Sequence, residues 1–156
     1  MTVNKKLAIF DLDHTILKCN SDHSWLDYLI NKEFIKREEY FEQNAEFQKK
    51  FREGSVNYKD YYEFTIQYLK DKSDDYISEI RSDFMKEIIE PSINIYALRL
   101  IHKHYEKDEE LLLASGTTSI IAGPIAKRLE FKNVVCTTCE KENNIYTVRI
   151  EAVSYT

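Results

Sequence analysis

Short apolar runs separated by helix-like segments give the chain its most regular pattern. Three runs predict buried strands: Leu7–Asp11, Leu111–Ser115 and Asn133–Thr137. Apolar positions at helical spacing predict a helix over about Ser119–Glu130 and another over about Ser92–Glu106, the latter started by Pro91-Ser92. Gly123-Pro124 interrupts the first of these helices, so we expect it to begin late or to be kinked. The order of elements predicts an α/β fold with a parallel sheet, and Asn143-Asn144 predicts a terminal hairpin.

The spacing of the first two strands departs from a simple strand–helix–strand unit. Ser115 follows Asp11 by about 100 positions, whereas such a unit needs about 30 residues. The intervening pattern predicts four helices, over Asp22–Asn31, Lys36–Arg52, Tyr58–Lys70 and Asp74–Ile89. We therefore predict two parts: an α/β core from residues 1–15 and 91–156, and an all-helical insertion over 16–90.

Aromatic residues are concentrated inside the predicted helical insertion. Ten of the nineteen Tyr and Phe residues lie between Phe34 and Tyr68. Such a density is typical of a small helical module that builds its own core from large side chains, and it also suits a substrate pocket. The core interpretation is favoured, and the pocket stays open as the alternative.

Composition and charge argue against several classes of function. At 156 residues, with 43% hydrophobic and 31% charged residues, the chain is long enough for one well-buried soluble domain. Its net charge of −5 argues against a nucleic-acid-binding face, and no apolar stretch approaches the length of a membrane span or a signal peptide. Three cysteines without a disulfide framework fit a reducing compartment. We expect a cytoplasmic protein that binds neither nucleic acid nor membranes.

Asp11 and Asp13 are the first candidates for chemistry. Both lie at the carboxyl end of the first predicted strand, where open α/β sheets bind ligands, and alternation along a strand places them on the same face. Two carboxylates held this close repel unless a cation lies between them or one of them keeps a proton. Mg²⁺ would meet the first condition, and a division of labour between a nucleophile and an acid or base would meet the second.

A second polar segment, Ser115-Gly116-Thr117-Thr118, follows the second predicted strand. Alone it is ordinary turn and helix-capping chemistry, and Asp-x-Asp alone also occurs in nucleotide-sugar transferases and at strand exits. Together, in this order and separated by a helical insertion, the two segments resemble the first and second motifs of haloacid dehalogenase superfamily phosphatases. The matching residues are Phe10-Asp11-Leu12-Asp13-His14-Thr15 and Leu111–Thr117.

The resemblance covers essentially the whole chain and points to a phosphoserine-phosphatase-like branch with a helical cap. Small hydrolases of that branch, some of them histidinol-phosphatase-like, share Ser21-Asp22-x-x-Trp25 after the first motif and Pro124-Ile125-Ala126 after the second. The resemblance implies a Rossmann-like parallel core, with residues 16–90 as the cap. It also implies Mg²⁺-dependent hydrolysis of a small phosphorylated metabolite.

In the first motif the resemblance assigns roles to Asp11, Asp13 and Thr15. Asp11 would attack phosphorus and form an aspartyl-phosphate, and Asp13 would protonate the leaving alcohol and later activate water. Mg²⁺ would be held by the Asp11 carboxylate and the Asp13 backbone carbonyl. Thr15 would position Asp13 by a hydrogen bond. We interpret His14 as a turn residue near the site rather than a ligand.

In the second motif the resemblance assigns phosphate binding. Ser115, together with the backbone N–H groups of Gly116 and Thr117, would hold the phosphate oxygens beside the start of the following helix. These groups and the two aspartates would then surround the phosphate from two strands of the sheet.

Substrate contacts are sought at the start of the cap. Phosphoserine phosphatases usually carry a carboxylate nine residues after the nucleophile, and here that position is Asn20, which makes phosphoserine a weak candidate. Asp22 is a substitute for that carboxylate, and His23 is a second candidate for substrate contact. An exposed side chain without a special role is the alternative for His23.

Two later family motifs, a lysine and an acidic pair that completes the Mg²⁺ shell, have no counterpart in the sequence. Ser154-Tyr155 aligns just before the position expected for the lysine. We therefore expect a truncated chain whose first strand, Leu7–Asp11, is an apolar edge. Either a partner chain covers this edge, for example a second copy in a homo-oligomer, or the chain is a fragment of a longer enzyme. The alternative function is a catalytically impaired remnant that acts as a binding or interaction module.

Overall fold

The structure, a computed structural model, describes residues 5–152, so Ser154-Tyr155 lies outside the described residues. Within that range four strands form one sheet in the order β1-β2-β3-β4. They are Leu7–Phe10 (β1), Glu110–Thr118 (β2), Asn133–Glu142 (β3) and Ile145–Ala152 (β4). β1, β2 and β3 are parallel, and β4 returns antiparallel to β3 through Asn143 and Asn144, whose positive φ angles suit a tight hairpin turn. The predicted α/β fold with a Rossmann-like sheet and a terminal hairpin is confirmed.

The insertion is helical, as the pattern predicts. In the described range the α-helices are Ser21–Asn31 (α1), Arg37–Arg52 (α2), Tyr58–Thr65 (α3), Asp74–Phe84 (α4), Glu90–Ser92 (α5), Ile95–Glu106 (α6) and Ser119–Arg128 (α7). A 3₁₀ turn, Gln67–Leu69, follows α3, and a π-helical turn, Met85–Ile89, follows α4. None of the helices within residues 5–152 is both long and apolar enough to cross a membrane.

Helix α6 begins later than its pattern predicts. Asn94 is its N-cap and accepts a hydrogen bond from the Tyr96 N–H at 3.1 Å. Pro91-Ser92 belongs instead to α5, and the Ser92 hydroxyl donates to the Ile88 carbonyl at 2.6 Å. The start signal of α6 is therefore Asn94, because a side-chain acceptor at that position satisfies the first helical N–H groups.

Helix α7 begins at Ser119 with Pro124 inside it, so of the two effects expected of Gly123-Pro124 the late start is not observed, and the kink stays a prediction. Proline has no N–H to give to the Ile120 carbonyl one turn earlier. The Arg81 guanidinium of α4 donates to that carbonyl instead, with Nη1 3.0 Å from the oxygen. A cap residue thus satisfies the carbonyl that Pro124 leaves without its helical partner.

Two connections join the insertion to the core and lie side by side. Residues 16–18 and 92–94 are held by an antiparallel bridge between Leu17 and Ile93 and by two backbone hydrogen bonds of 2.8 Å. The predicted boundaries after residues 15 and 90 stay a prediction, and these paired connections lie close to them.

One face of the sheet is covered by α6 and α7. Phe10 on β1 contacts His104 of α6 and Phe131, which follows α7, with ring centroids 5.8 Å apart in both cases. On the opposite face Leu7 and Ile9 are 53% and 62% exposed. Within residues 5–152 β1 pairs with β2 alone, so in this part of the chain it is an edge strand.

The cap has a buried part and an exposed part. Trp25 of α1 is fully buried against Phe84 and Tyr28, with centroid distances of 4.9 and 5.9 Å. Helix α2, in contrast, has no buried residue, and it packs on α3 largely through ring contacts such as that between Phe47 and Phe64. We call residues 37–65 the aromatic hairpin.

Candidate active site

A cleft of about 490 Å³ opens where β1 and β2 end. Seven residues that the sequence predicts for the site line it: Asp11, Asp13, Asp22, His23, Ser115, Gly116 and Thr117. Thr15 lies beside Asp11, outside the lining. Because parallel strands bring their carboxyl ends to one edge of the sheet, residues far apart in the chain meet here.

The loop after β1 makes a tight turn that brings its polar side chains to the cleft. Leu12 is fully buried, while Asp11 is exposed. His14 has a φ of +56°, a left-handed conformation that disfavours residues with a Cβ atom, which agrees with its interpretation as a turn residue. The Thr15 hydroxyl donates to Asp11 Oδ2 at 3.1 Å. The expectation that Thr15 holds Asp13 is therefore wrong, because the turn directs its hydroxyl to the first aspartate.

Asp13 is held by two other residues. Its Oδ1 accepts hydrogen bonds from the Ser21 N–H at 2.9 Å and from the Ser21 hydroxyl at 2.6 Å. Its Oδ2 accepts from the Thr117 hydroxyl at 3.0 Å. Both partners are buried. Three donors from two separate segments therefore fix the orientation of this carboxylate, and Ser21 is a site residue that the sequence analysis did not single out.

The predicted phosphate-binding segment continues β2 as far as Thr118. Ser115 is buried, and its hydroxyl donates to Thr117 Oγ1 at 3.0 Å, while the Thr117 N–H donates to Ser115 Oγ at 3.2 Å. The Gly116 carbonyl accepts from the Thr137 hydroxyl at 2.7 Å. The segment is thus tied to itself and to β3, and a phosphate bound by Ser115 and the Thr117 N–H would replace their mutual contact.

Asp22 is anchored to the end of β2. Its two carboxylate oxygens accept from the Thr118 N–H at 3.0 Å and from the Thr118 hydroxyl at 2.8 Å. Burial raises the pKa of Asp22 to about 6; the hydrogen bonds from Thr118 act in the opposite direction, and the nearby Asp13 charge raises it further. The substrate contact predicted for Asp22 stays a prediction, because the structure gives this carboxylate a protein partner.

Asn20 and His23 begin α1 beside the cleft. Asn20 is the N-cap and accepts a hydrogen bond from the His23 N–H at 2.9 Å. The His23 side chain is exposed and lines the cleft, so the structure leaves both the substrate contact and the exposed alternative open. Asn20 occupies the position nine residues after Asp11, where phosphoserine phosphatases usually carry a carboxylate. Its side chain caps the N-terminus of α1 instead.

The cap supplies a wall that the sequence analysis did not assign residue by residue. This wall consists of Leu26, Gln48, Phe51, Tyr58, Tyr61, Tyr62 and Thr65. The signal for it was the aromatic density of the insertion, with three tyrosines within one turn and a half of α3. Most rings of the aromatic hairpin contact one another, but among them Phe64 alone is buried, and four of them line the cleft, so the choice between core and pocket stays open. Burial raises the pKa of Tyr61 to about 12, so its hydroxyl is neutral at physiological pH.

Asp11 and Asp13, the two residues expected to hold Mg²⁺, both line the floor of the cleft. A carboxylate oxygen of Asp11 and the backbone carbonyl of Asp13 are oxygen ligands, and Mg²⁺ is commonly held by one or two carboxylates with substrate phosphate and water completing its shell. Across residues 5–152, His, Cys, Asp and Glu side chains form no group of three or more that could hold a metal ion. The Mg²⁺ site expected from the sequence thus stays limited to Asp11 and Asp13 in this part of the chain.

Comparison with known sequences bears on this site. The profile of the haloacid dehalogenase-like hydrolases matches residues 8–155 of the chain. A histidinol-phosphatase of Neisseria meningitidis serogroup C (strain 8013) is 32% identical over 136 residues, which are 87% of this chain and 61% of the relative. The chain therefore spans about three fifths of the length of that curated relative.

Solved structures share the fold. A protein of unknown function from Bordetella pertussis Tohama I superposes with a TM-score of 0.87 at 27% identity, over 97% of this chain and 69% of the other. A phospho-aspartyl intermediate analogue of phosphoserine phosphatase superposes with a TM-score of 0.59 at 20% identity, over 96% of this chain and 64% of the other. The second likeness shows the fold alone.

Proposed function

The chain belongs to the haloacid dehalogenase-like hydrolase family, and from this membership and its cleft we propose that it hydrolyses a small phosphomonoester. One observation carries the proposal. An exposed Asp11, an Asp13 held by three hydrogen bonds and the Ser115–Thr117 segment line one cleft. To these residues we assign the roles of nucleophile, proton carrier and phosphate donors, which transfer through an enzyme-bound phosphate needs.

In the proposed reaction Asp11 is the nucleophile. Thr15 holds Oδ2, so we assign Oδ1 to the attack on phosphorus. The bond from Oδ1 to phosphorus forms while the bond from phosphorus to the alcohol oxygen breaks, and Asp13 gives its proton to the departing oxygen. Water then gives a proton to Asp13 and attacks phosphorus, which releases phosphate and restores the Asp11 carboxylate.

Mg²⁺ is the proposed cofactor, held by the Asp11 carboxylate and the Asp13 carbonyl. When bound, it would neutralise charge between the nucleophile and the phosphate. The chain's own residues perform the remaining work: Ser21 and Thr117 orient Asp13, and the second-motif segment receives the phosphate oxygens.

For the substrate we propose histidinol phosphate as the first candidate, since the Neisseria relative is a histidinol-phosphatase. The chemistry of the cleft supports a phosphomonoester whose alcohol carries a planar or cationic group. Phe51, Tyr58 and Tyr61 line the cap side of the cleft, and carboxylates line the opposite side. A cytoplasmic location is proposed with it, supported by three free cysteines.

The test is phosphate release from p-nitrophenyl phosphate and from histidinol phosphate, with and without Mg²⁺. Wild-type protein is compared with Asp11→Asn and with Asp27→Asn, a control that removes an exposed carboxylate from α1. We expect turnover that requires Mg²⁺, disappears in Asp11→Asn and persists in Asp27→Asn. Equal background release by all three proteins would contradict the proposal.

A second candidate is an interaction module that binds a partner through β1. The observation that favours it is the exposure of Leu7 and Ile9 on a strand that pairs on one side only within residues 5–152. Such an edge is a template for pairing with another chain, including a second copy. Sedimentation of the wild type and of Ile9→Lys tests it: a concentration-dependent dimer that the substitution abolishes supports the module, and a monomer at every concentration contradicts self-pairing.

A further inference from the structure

The first turn of α1 contacts both loops of the proposed site. Ser21 is fully buried and uses its N–H and its hydroxyl on the same oxygen of Asp13. The N–H groups at the start of a helix have no partner within the helix, and the helix dipole favours negative charge there. The Asp13 carboxylate therefore accepts a hydrogen bond from the Ser21 N–H, which has no partner within α1.

The next residue makes the second connection. Asp22 accepts two hydrogen bonds from Thr118, a buried residue at the end of β2. Thr118 directly follows Thr117, whose hydroxyl donates to the other oxygen of Asp13. Asp13, Ser21, Asp22, Thr117 and Thr118 thus form a closed ring of hydrogen bonds and peptide bonds, which we call the clamp ring.

The clamp ring spans three segments of the chain, namely the loop after β1, the start of the cap and the end of β2. In the ring the donors are hydroxyl and backbone N–H groups and the acceptors are carboxylates, so no acceptor faces another acceptor without a donor between them. The ring therefore fixes the distance between Asp13 and the phosphate-binding segment.

We propose that Ser21 and Asp22 are positioning residues for the reaction: Ser21 sets the proton-carrying carboxylate of Asp13, and Asp22 holds the Ser115–Thr118 segment against the cap. This inference rests on the proposed phosphatase function. It gives Ser21-Asp22 one shared purpose, and it assigns Asp22 to the protein scaffold rather than to the substrate.

The role of Ser21 is tested by leaving-group dependence. An alkyl phosphate needs a proton on its departing oxygen, whereas p-nitrophenolate leaves readily without one. Loss of Asp13 orientation should therefore lower kcat on histidinol phosphate or phosphoserine several-fold more than kcat on p-nitrophenyl phosphate. Ser21→Ala and Ser21→Cys are compared with Ser24→Ala, whose hydroxyl lies on the same helix and donates to the Asn20 carbonyl at 2.8 Å. Ser21→Cys keeps a weak S–H donor on a slightly larger side chain, so it is a second test of the role if the alanine variant misfolds.

The role of Asp22 is tested at the backbone. Asp22→Ala removes both acceptors of Thr118, so amide hydrogen exchange at Thr118 should accelerate at least about tenfold, and KM and the inhibition constant of inorganic phosphate should rise. Asp22→Asn retains an acceptor for the N–H and a partner for the hydroxyl, and should restore slow exchange and phosphate affinity. Exchange is measured whether or not the protein turns over.

The outcomes separate the two proposals. The clamp ring is supported if the Ser21 variants lose more kcat on the alkyl phosphate than on p-nitrophenyl phosphate. It also requires that Asp22→Asn, unlike Asp22→Ala, keeps slow Thr118 exchange and phosphate affinity. Equal losses on both substrates, or Ser21 variants that match Ser24→Ala in an active protein, overturn the positioning role alone. A wild type that hydrolyses neither substrate, while Thr118 exchange still depends on Asp22, contradicts the proposed function and removes the reaction that the ring would serve.

Discussion

The two sides of the cleft are built differently. Its floor, formed by the loop after β1 and the end of β2, consists of small polar residues that are hydrogen-bonded to one another; Ser115 and Thr117 are buried, while Asp11 is exposed. Its wall is formed mainly by the aromatic hairpin, where α2 and α3 pack through contacts between aromatic rings. Helix α2 has no buried residue. Hydrogen bonds tolerate little displacement, whereas ring packing tolerates substitution and small shifts. The floor is therefore suited to fixed chemistry, and the wall is suited to a choice of substrate.

The largest effect should come from the floor. Asp13→Asn removes the proton carrier but leaves oxygen and nitrogen atoms for the Ser21 and Thr117 contacts, so kcat on an alkyl phosphate should fall at least about 100-fold. Steady-state kinetics on histidinol phosphate measures it, with Asp27→Asn as the exposed-carboxylate control. A loss no greater than that of the control would remove the distinction between floor and wall.

A smaller effect concerns stability at the junction of floor and cap. In the folded chain the pKa of Asp22 is raised to about 6 from the ordinary 3.8, so the folded state binds the proton more tightly than the unfolded state. The stabilisation linked to this proton is complete below about pH 4 and is lost as pH rises through 6. Ionisable groups that interact with the Asp22 charge include Asp13, Tyr61, Tyr68, Cys136 and Cys139.

Asp22→Asn should remove this pH dependence. Relative to the wild type, the variant should gain about 1–3 kcal/mol in the free energy of unfolding between pH 4 and pH 7. Urea unfolding at both pH values measures the difference, in which contributions from other groups cancel. Parallel curves for the two proteins would show that burial does not raise the pKa of this carboxyl.

The smallest effect should come from the wall. Tyr58 and Tyr76 are equally exposed at 43%, but only Tyr58 lines the cleft. Tyr58→Ala should raise KM about 3- to 10-fold, a loss of roughly 0.7–1.4 kcal/mol in binding, with kcat nearly unchanged. Tyr76→Ala is the matched control and should leave both constants unchanged. If Tyr58→Ala lowers kcat and leaves KM constant, Tyr58 acts in catalysis, as the floor residues do, and not in substrate binding.

Much of the fold was predictable because it depends on periodic patterns. The strands, the helical insertion and the hairpin follow from apolar spacing and turn residues. Two local errors came from competing signals: the Asn94 cap overrides Pro91-Ser92, and Arg81 compensates for Pro124. The contact between the Arg81 side chain and the Ile120 carbonyl joins residues 39 positions apart, so local pattern analysis cannot detect it.

The site was predictable as a set of residues but not as a set of contacts. The motifs brought Asp11, Asp13 and Ser115 to one cleft, as parallel topology requires. They did not reveal that Thr15 holds Asp11, because this depends on the left-handed turn at His14. Ser21 was missed because a serine at a helix start is usually capping chemistry; its burial beside Asp13 exists only in the folded chain.

Trapping the enzyme-bound phosphate tests the central claim most directly. Protein mixed with Mg²⁺ and histidinol phosphate is treated with borohydride, which reduces an acyl phosphate to an alcohol, and the peptide containing residue 11 is analysed by mass spectrometry. The proposed reaction predicts that Asp11 is converted to homoserine when the substrate is present and is unmodified when the substrate is left out. Phosphate release without any modification of Asp11 under conditions that trap acyl phosphates, or modification at another carboxylate, would contradict the account.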